Sequence, residues 1–199
     1  VYAGSFVALQ ALDLLLEALP RVLASLPEVR LLLVGGAEPQ LSQLRALATR
    51  LGICERVILE QAHPQVEISA YLAAADALVS PRVQGINPPG KLLSYLSSGR
   101  PVVATDTLVH NQLLTADCAV LTRPDAMGLA DGLVLALTDP ALAARLTEGS
   151  VRVLERLCSK TSRDAAYEEI ASAVGAVGAH HRRRPLRLAS SHHSAPHRH

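Results

Sequence analysis

The feature that most constrains the fold is a continuous apolar run, VRLLLVGG at residues 29–36, which ends in two glycines. A strand that lies between two layers of helices in a parallel sheet has this pattern. Around it, short apolar segments alternate with longer amphipathic ones such as LQALDLLLEALPRVLASL at 9–26. Such alternation predicts βαβ units with right-handed crossovers. We therefore predict an α/β fold with a Rossmann-like, doubly wound parallel sheet.

The boundaries of the predicted elements follow the apolar periodicity and the positions of Gly and Pro. Strands are predicted at 1–6, 29–36, 56–61, 76–81, 100–106 and 118–124. Helices are predicted at 9–26, 39–52, 66–75, 88–98, 126–138, 140–157 and 163–174. In sheets of this kind ligands bind at the carboxyl ends of the strands, so the loops after the strands are the places to look for a site.

The charge of the chain is distributed unevenly. The segment 180–199 holds five Arg, six His and no acidic residue, which leaves 14 basic and 18 acidic residues in the rest of the chain. Such a tail can bind nucleic acid or anionic lipid, but low-complexity termini of this kind are also found without a role. With an acidic body and no interleaved aromatic residues, we predict no nucleic-acid partner. We expect one domain at 1–178 and a disordered His/Arg-rich tail at 179–199.

Several classes of site find no support in the sequence. Cys54, Cys118 and Cys158 are far apart, and no Cys/His spacing suggests a metal site or a disulfide framework. No apolar run reaches the roughly 18 residues that a membrane helix needs, and no signal-peptide pattern is present. His63 and His110 follow predicted strands and are candidates for a base or a ligand contact, although histidines on such loops are commonly bystanders.

The segment INPPGK at 86–91 predicts an anion-binding helix entrance. Asn87 can cap the helix and Pro88 can be its first residue. The free backbone donors are then those of Gly90, Lys91 and Leu92, and Lys91 adds a full positive charge beside the helix dipole. We interpret this as a seat for a diphosphate. The alternative is an ordinary capped helix with a solvated lysine.

The order of the elements resembles a known family once these loops are considered together. The most specific stretch is YLAAADALVSPRVQGINPPGKLLSYLSSGRPVVATD at 71–106, and LLLVGG and LTDPALAARL also fit. Over roughly 1–175 the chain is similar to the C-terminal, nucleotide-sugar-binding domain of group 1 (family 4) glycosyltransferases of the GT-B fold. The chain begins at Val1, within a predicted strand and without an initiator Met, so we expect a fragment of a longer protein.

The resemblance implies a hexosyl-type transferase that moves a sugar from a UDP- or GDP-linked donor to an acceptor hydroxyl. It implies no cofactor and no metal. Acceptor binding would fall to an N-terminal domain that this chain lacks, so we expect the fragment to bind donor without turnover. The family's work on cell-envelope glycolipids and polysaccharides implies a cytoplasmic protein, with peripheral contact to the inner membrane in the full-length form.

The resemblance also assigns roles to residues. Lys91 would be the catalytic residue, stabilising the leaving diphosphate, while the loop around His63 would hold the base of the nucleotide. The remaining residues implied for donor binding follow the strands or lie at the helix entrance: Gly4, Ser5, Gln10, Gly35, Gly36, Asn87, Gly90, Leu92 and Ser94.

The chain departs from the family pattern at its charged positions. The family commonly has two Glu residues separated by seven others, and those positions are Ile86 and Ser94 here. Its first loop commonly carries an Arg and a Lys, where this chain has Ser5 and Gln10. Some members of the superfamily have Gln at that Lys position and a GTNTPLK-like loop, but GINPPGK at 85–91 differs from this variant too, because Ile86 and Pro88 replace hydroxyl residues. The alternatives are therefore a non-catalytic nucleotide-binding or scaffold module, and a different enzyme on the same fold, such as a sugar-nucleotide epimerase.

Overall fold

The computed structural model describes residues 1–159. Two single turns of 3-10 helix, Ala8–Gln10 and Cys54–Arg56, accompany the regular elements. The strands are β1 Tyr2–Ala3, β2 Leu31–Gly36, β3 Val57–Gln61, β4 Leu78–Ser80, β5 Val102–Thr105 and β6 Val120–Thr122. The helices are α1 Leu12–Ser25, α2 Gln40–Arg50, α3 Gln65–Ala73, α4 Lys91–Ser97, α5 Leu108–Asn111, α6 Ala126–Thr138 and α7 Pro140–Cys158.

The strands form two parallel three-stranded sheets, in the orders β1-β2-β3 and β4-β5-β6. The edges β1 and β4 lie side by side, because the Val79 N–H donates to the Val1 carbonyl at 3.0 Å and the Val1 nitrogen donates to the Ala77 carbonyl at 2.7 Å. The order across both sheets is therefore 3-2-1-4-5-6. The strand order reverses between β1 and β4, and ligands bind at such switch points.

Helices cover both faces of the strands, as the doubly wound prediction requires. Neighbouring strand residues point to opposite faces, so Leu33 packs into a core with α1, α2 and α6, whereas Val34 packs into a second core with α3, α4 and part of α7. Residues Val1–Leu157 form one compact unit. The α/β doubly wound architecture is confirmed.

Some predicted boundaries are wrong. The helix predicted at 88–98 begins at Lys91, because Asn87 and Pro88 each precede a proline and are disfavoured in the helical region. The helix predicted at 9–26 begins at Leu12, after Ala11 adopts a left-handed conformation with φ 51°. The short helix α5 at Leu108–Asn111 was not predicted. The predicted helix at 163–174 and the tail at 179–199 lie outside the described residues.

In residues 1–159 no single helix combines the length and the apolar character of a membrane span, and α6 and α7 meet those criteria together only across a 98° bend. All three cysteines are free thiols; Cys118 is buried, and Cys54 and Cys158 are exposed.

Candidate functional site

A cleft of about 460 Å³ opens at the carboxyl ends of β1 to β4, beside the switch point. Its walls come from the β1–α1 loop, the end of β2, the β3–α3 loop and the start of α4. A larger groove of about 770 Å³ lies at the opposite, amino ends of the strands, where aliphatic side chains line it together with Glu28, Arg30 and Asp76. The residues predicted from sequence that line the cleft are Gly4, Ser5, Gly35, His63, Gly90, Lys91 and Ser94.

The centre of the cleft is the ammonium group of Lys91. Its Nζ donates to the Tyr2 hydroxyl at 2.7 Å and to Gln10 Oε1 at 2.7 Å. It also lies 3.9 Å from the centroid of the Tyr2 ring, in cation–π contact. The Tyr2 hydroxyl donates in turn to the Ser5 carbonyl at 2.7 Å. Lys91 of α4 therefore contacts the β1–α1 side of the cleft.

The absence of a side chain at Gly4 makes room for this ammonium group. A Cβ atom at Gly4 would lie 3.0 Å from the Lys91 Nζ and 3.2 Å from the Tyr2 hydroxyl. Gly35 allows a second close approach, since a Cβ atom there would lie 2.2 Å from the Gly4 carbonyl oxygen. These two glycines let the ends of β1 and β2 and the tip of Lys91 converge.

Among residues 1–159, no carboxylate forms an ion pair with Lys91. Burial, and to a smaller extent the positive charge of Arg82, lower the pKa of Lys91 to about 7. Burial raises the pKa of Tyr2, so this residue remains a neutral phenol. A partly buried cation held by neutral acceptors is an electrostatic match for an anionic ligand.

Tyr95 joins α4 to β1, a role that the sequence did not indicate. Its buried hydroxyl accepts from the Ala3 N–H at 2.7 Å and donates to the Ala3 carbonyl at 3.0 Å. Because Tyr95 lies one turn after Lys91 on the same helix, it fixes the position of Lys91 relative to β1. The spacing of four residues between Lys91 and Tyr95 was the available signal. Tyr2, 89 positions before Lys91 in the chain, gave none.

The predicted helix entrance needs correction. The residue before α4 is Gly90, with no side-chain cap, so Asn87 does not cap the helix. The Leu92 N–H donates to the Pro89 carbonyl at 3.0 Å and the Leu92 side chain is fully buried, so Leu92 offers no free donor. Among the described residues, the amides of Gly90 and Lys91 make no backbone hydrogen bond. The entrance supplies two donors where three were predicted.

Gly36 was predicted to contact the nucleotide sugar, but it does not line the cleft. A Cβ atom there would lie 2.6 Å from the Phe6 ring and 2.7 Å from a Leu41 methyl group, so this glycine serves core packing. Gln10 is 7 % exposed and contacts the site through Lys91.

His63 lies in the wall of the cleft with both ring nitrogens engaged. Its Nδ1 is 3.0 Å from Glu67 Oε2 and its Nε2 is 3.1 Å from the Tyr71 hydroxyl. Glu60 is more distant, 4.0 Å from Nε2. These contacts orient the loop at the end of β3. In residues 1–159 no group of three His, Cys, Asp or Glu side chains is placed to hold a metal ion.

His110, the other candidate histidine, lies outside the cleft. It is fully buried, its Nδ1 lies 2.8 Å from the Thr105 carbonyl, and its Nε2 lies 2.9 Å from Ser80 Oγ. Burial lowers its pKa. His110 therefore joins the ends of β4 and β5 and is not available to a ligand.

The family model and the similar proteins of known name all point to glycosyltransferases. Residues 1–139 match the model for group 1 glycosyl transferases. A GDP-mannose-dependent alpha-(1-6)-phosphatidylinositol monomannoside mannosyltransferase of Mycolicibacterium smegmatis is 33% identical over 146 residues, which is 67% of this chain and 37% of that protein. A phosphatidyl-myo-inositol mannosyltransferase of Mycobacterium tuberculosis is 32% identical over 142 residues, or 68% of this chain and 36% of that protein.

Solved structures of GT-B glycosyltransferases share the fold. Anabaena Alr3699/HepE in complex with UDP gives a TM-score of 0.75 at 20% identity, covering 86% of this chain and 48% of that one. The C-terminal domain of the group 1 family protein LpcC from Francisella tularensis gives 0.66 at 18% identity, covering 78% of this chain and 83% of that one. The chain thus spans under two fifths of the curated relatives and about half of the HepE chain.

Proposed function

The chain belongs to the group 1 glycosyltransferases, and on that premise we propose that it is the donor-binding part of an enzyme that transfers a hexose from a nucleotide diphosphate sugar to an acceptor hydroxyl. The observation that supports this most directly is the Lys91 ammonium, held at the switch point by two neutral acceptors. A diphosphate bound there would meet a full positive charge that has no acidic partner among the described residues.

Different walls of the cleft would contact different parts of the nucleotide-sugar donor. The diphosphate would lie against Lys91, with the amides of Gly90 and Lys91 as further donors and the Ser5 hydroxyl at the rim. Gly35 leaves room near the end of β2, and the loop of His63 would enclose the base. Ser94 would contact the ribose with a single hydroxyl, a weaker contact than a carboxylate gives.

The proposed contribution to catalysis is electrostatic. In the transfer, the bond between the anomeric carbon and the diphosphate oxygen breaks, and the electron pair leaves with the diphosphate. The acceptor oxygen bonds to the anomeric carbon and loses its proton. Lys91 would stabilise the charge that grows on the leaving oxygen, which is the type of interaction that contributes most in such sites. Nothing in residues 1–159 is assigned as the general base, so turnover is proposed to need the rest of the full-length protein.

The names of the relatives suggest which substrates to test first. The Mycolicibacterium relative is named as GDP-mannose-dependent and as acting on a phosphatidylinositol monomannoside. GDP-mannose is therefore the first donor to test, with a glycolipid as acceptor. UDP-linked donors are the second choice, since the HepE structures were solved with UDP and UDP-glucose. A cytoplasmic location with contact to the inner membrane remains part of this proposal.

The second candidate function is a nucleotide-binding or scaffold module without catalysis. It is favoured by Ile86 and Ser94, which occupy the two positions where the resembled family has Glu. Ile86 is 81% exposed, and its carbonyl accepts from the Gln112 side chain at 2.6 Å. An apolar residue in this position gives the donor sugar no hydrogen bond.

Calorimetric titration of the full chain with GDP, UDP and ADP tests the proposal. We expect micromolar to low-millimolar binding of one nucleotide, lost in Lys91→Ala and unchanged in the control Arg45→Ala, because Arg45 is exposed on α2 and does not line the cleft. A folded chain that binds none of the three nucleotides would overturn the donor-site proposal. Binding without transfer from GDP-mannose in the full-length protein would favour the non-catalytic module.

A further inference from the structure

The surroundings of Lys91 contain more order than a solvated lysine requires. Two of its three N–H donors are used by acceptors on β1 and on the β1–α1 loop, at 2.7 Å each. We propose that Tyr2 and Gln10 are positioning residues, which hold the ammonium over Gly4 and turn its third N–H donor toward the diphosphate. This inference rests on the proposed function, since it concerns how the same site presents its cation.

The hydrogen-bond directions support a positioning role for Tyr2. The Tyr2 hydroxyl donates its own proton to the Ser5 carbonyl at 2.7 Å. Its lone pairs are therefore left to accept from Lys91. The ring lies 3.9 Å beneath the ammonium, which limits motion toward β1. Tyr2 is fully buried, so this arrangement is fixed by the core.

The backbone supports the same role for Gln10. The next residue, Ala11, has φ 51°, a conformation that costs a non-glycine residue on the order of 1 kcal/mol. The 3-10 turn Ala8–Gln10 and the left-handed Ala11 place the Gln10 side chain inside the protein, 7 % exposed, with Oε1 on the Lys91 Nζ. A glutamine that served only solubility would point outward.

Both acceptors of Lys91, the Tyr2 hydroxyl and Gln10 Oε1, are neutral, so no negative charge among them raises the pKa of the amine. The pKa of Lys91 is lowered to about 7, so its protonation state changes near neutral pH. The other titratable groups around it are the phenols Tyr2 and Tyr95, Arg82 of the β4–α4 segment, His63 across the cleft and the buried His110. An anion bound to Lys91 favours the protonated form. Diphosphate binding should therefore take up a proton near pH 7 and weaken as the pH rises.

Lysine NMR tests the positioning directly, because Lys91 and Lys160 are the chain's two lysines. In ¹³C-lysine-labelled chain carrying Lys160→Arg, the one lysine signal reports Lys91. We expect a midpoint near pH 7, which rises by at least one pH unit in Gln10→Glu and falls in Gln10→Ala and in Tyr2→Phe. A midpoint near 10 in the parent, or one that none of these changes moves, would overturn the inference. A residue with a purely structural role would not shift the midpoint in opposite directions in Gln10→Glu and Gln10→Ala.

Binding of GDP, or of whichever nucleotide the first titration selects, gives the second readout. We expect Tyr2→Phe and Gln10→Ala each to weaken binding about tenfold, the size of one hydrogen bond to a charged group. Gln43→Ala, on the exposed side of α2, is the matched control and should bind as the parent does. The double variant that combines Lys91→Gln with Gln10→Lys swaps the two side chains. It should restore the nucleotide binding that Lys91→Gln alone loses.

The two proposals fail in different ways. If Lys91→Ala abolishes binding while Tyr2→Phe and Gln10→Ala bind as the parent does, the positioning inference is wrong and the donor site stands. If no nucleotide binds to the parent, the donor site is wrong, and the NMR midpoints still decide whether Tyr2 and Gln10 hold Lys91.

Discussion

Single residues decide how closely the walls of the cleft can approach each other. Gly35 has φ 118°, and a Cβ atom on it would lie 2.2 Å from the oxygen and 2.7 Å from the carbon of the Gly4 carbonyl group. That carbonyl belongs to backbone at the end of β1, where the Gly4 N–H donates to the Val34 carbonyl at 2.8 Å. The contact is therefore between two backbones, and neither can move without breaking the β1–β2 pairing.

Gly35→Ala tests this contact. We expect it to lower the free energy of unfolding by about 3 kcal/mol or more, since strain at a positive φ is combined with a backbone clash. Gly52→Ala is the matched control. Gly52 also has a positive φ, 69°, but a Cβ atom there would contact nothing within 4 Å, so about 1 kcal/mol is expected. Urea unfolding of both variants measures the difference, and equal losses would contradict the role given to the Gly4–Gly35 contact.

At the scale of elements, the β4–α4 segment is held by α5 and the end of β5. The Thr105 hydroxyl donates to the Arg82 carbonyl, and the Gln112 side chain donates to the Ile86 carbonyl. His110 extends this attachment to Ser80 at the end of β4. A short helix that the sequence pattern did not indicate thus supports the loop that leads to Lys91.

The buried His110 makes this attachment sensitive to pH. Its pKa is lowered by burial in the folded state, whereas the unfolded chain titrates near the ordinary value of about 6.5. Between these values the unfolded state binds more protons, so the contribution is intact above about pH 6.5 and is lost as the pH falls through the folded pKa. We expect the free energy of unfolding of the parent to fall from pH 7 to pH 5 more steeply than that of His110→Asn.

The comparison of the two chains isolates His110, because His63, the histidines of 180–199 and Lys91 are present in both. Thermal or urea unfolding at each pH is the measurement. Parallel curves for parent and variant would mean that His110 does not titrate as its burial implies.

The order of the elements was easier to predict from the sequence than the contacts between them. The strand and helix order was predictable because apolar periodicity reports burial directly, and Lys91 and Gly90 were predictable because they follow a strand. The start of α4 was mispredicted because local capping preferences were weighed without the effect of consecutive prolines. Tyr2 and Tyr95 were missed because their roles depend on contacts across 89 and 92 positions of the chain. A contact of that range leaves no local pattern, and the four-residue spacing of Lys91 and Tyr95 indicated a shared helix face but not the contact with β1.

For the described unit Val1–Leu157 as a whole, the question is whether the two three-stranded sheets behave as one body. Few backbone hydrogen bonds connect β1 with β4, among them Val79 N–H to the Val1 carbonyl. The cores argue for one body, since each contains strand residues of both sheets. Leu33 and Val103 share the core on one face, and Val34 and Ala104 share the core on the other.

We therefore expect the two sheets to unfold in one cooperative step. Native-state hydrogen exchange measures this by comparing the most protected amides of β2, such as Leu33, with those of β5, such as Val103. Both should open with the same free energy, equal to that of global unfolding and within the usual 5–15 kcal/mol. If β4 to β6 open at a free energy lower by about 2 kcal/mol or more, the pairing between β1 and β4 separates before global unfolding. The cleft would then lie across a hinge, and a bound nucleotide, by joining the β1–α1 loop to α4, should raise the protection of β5 toward that of β2.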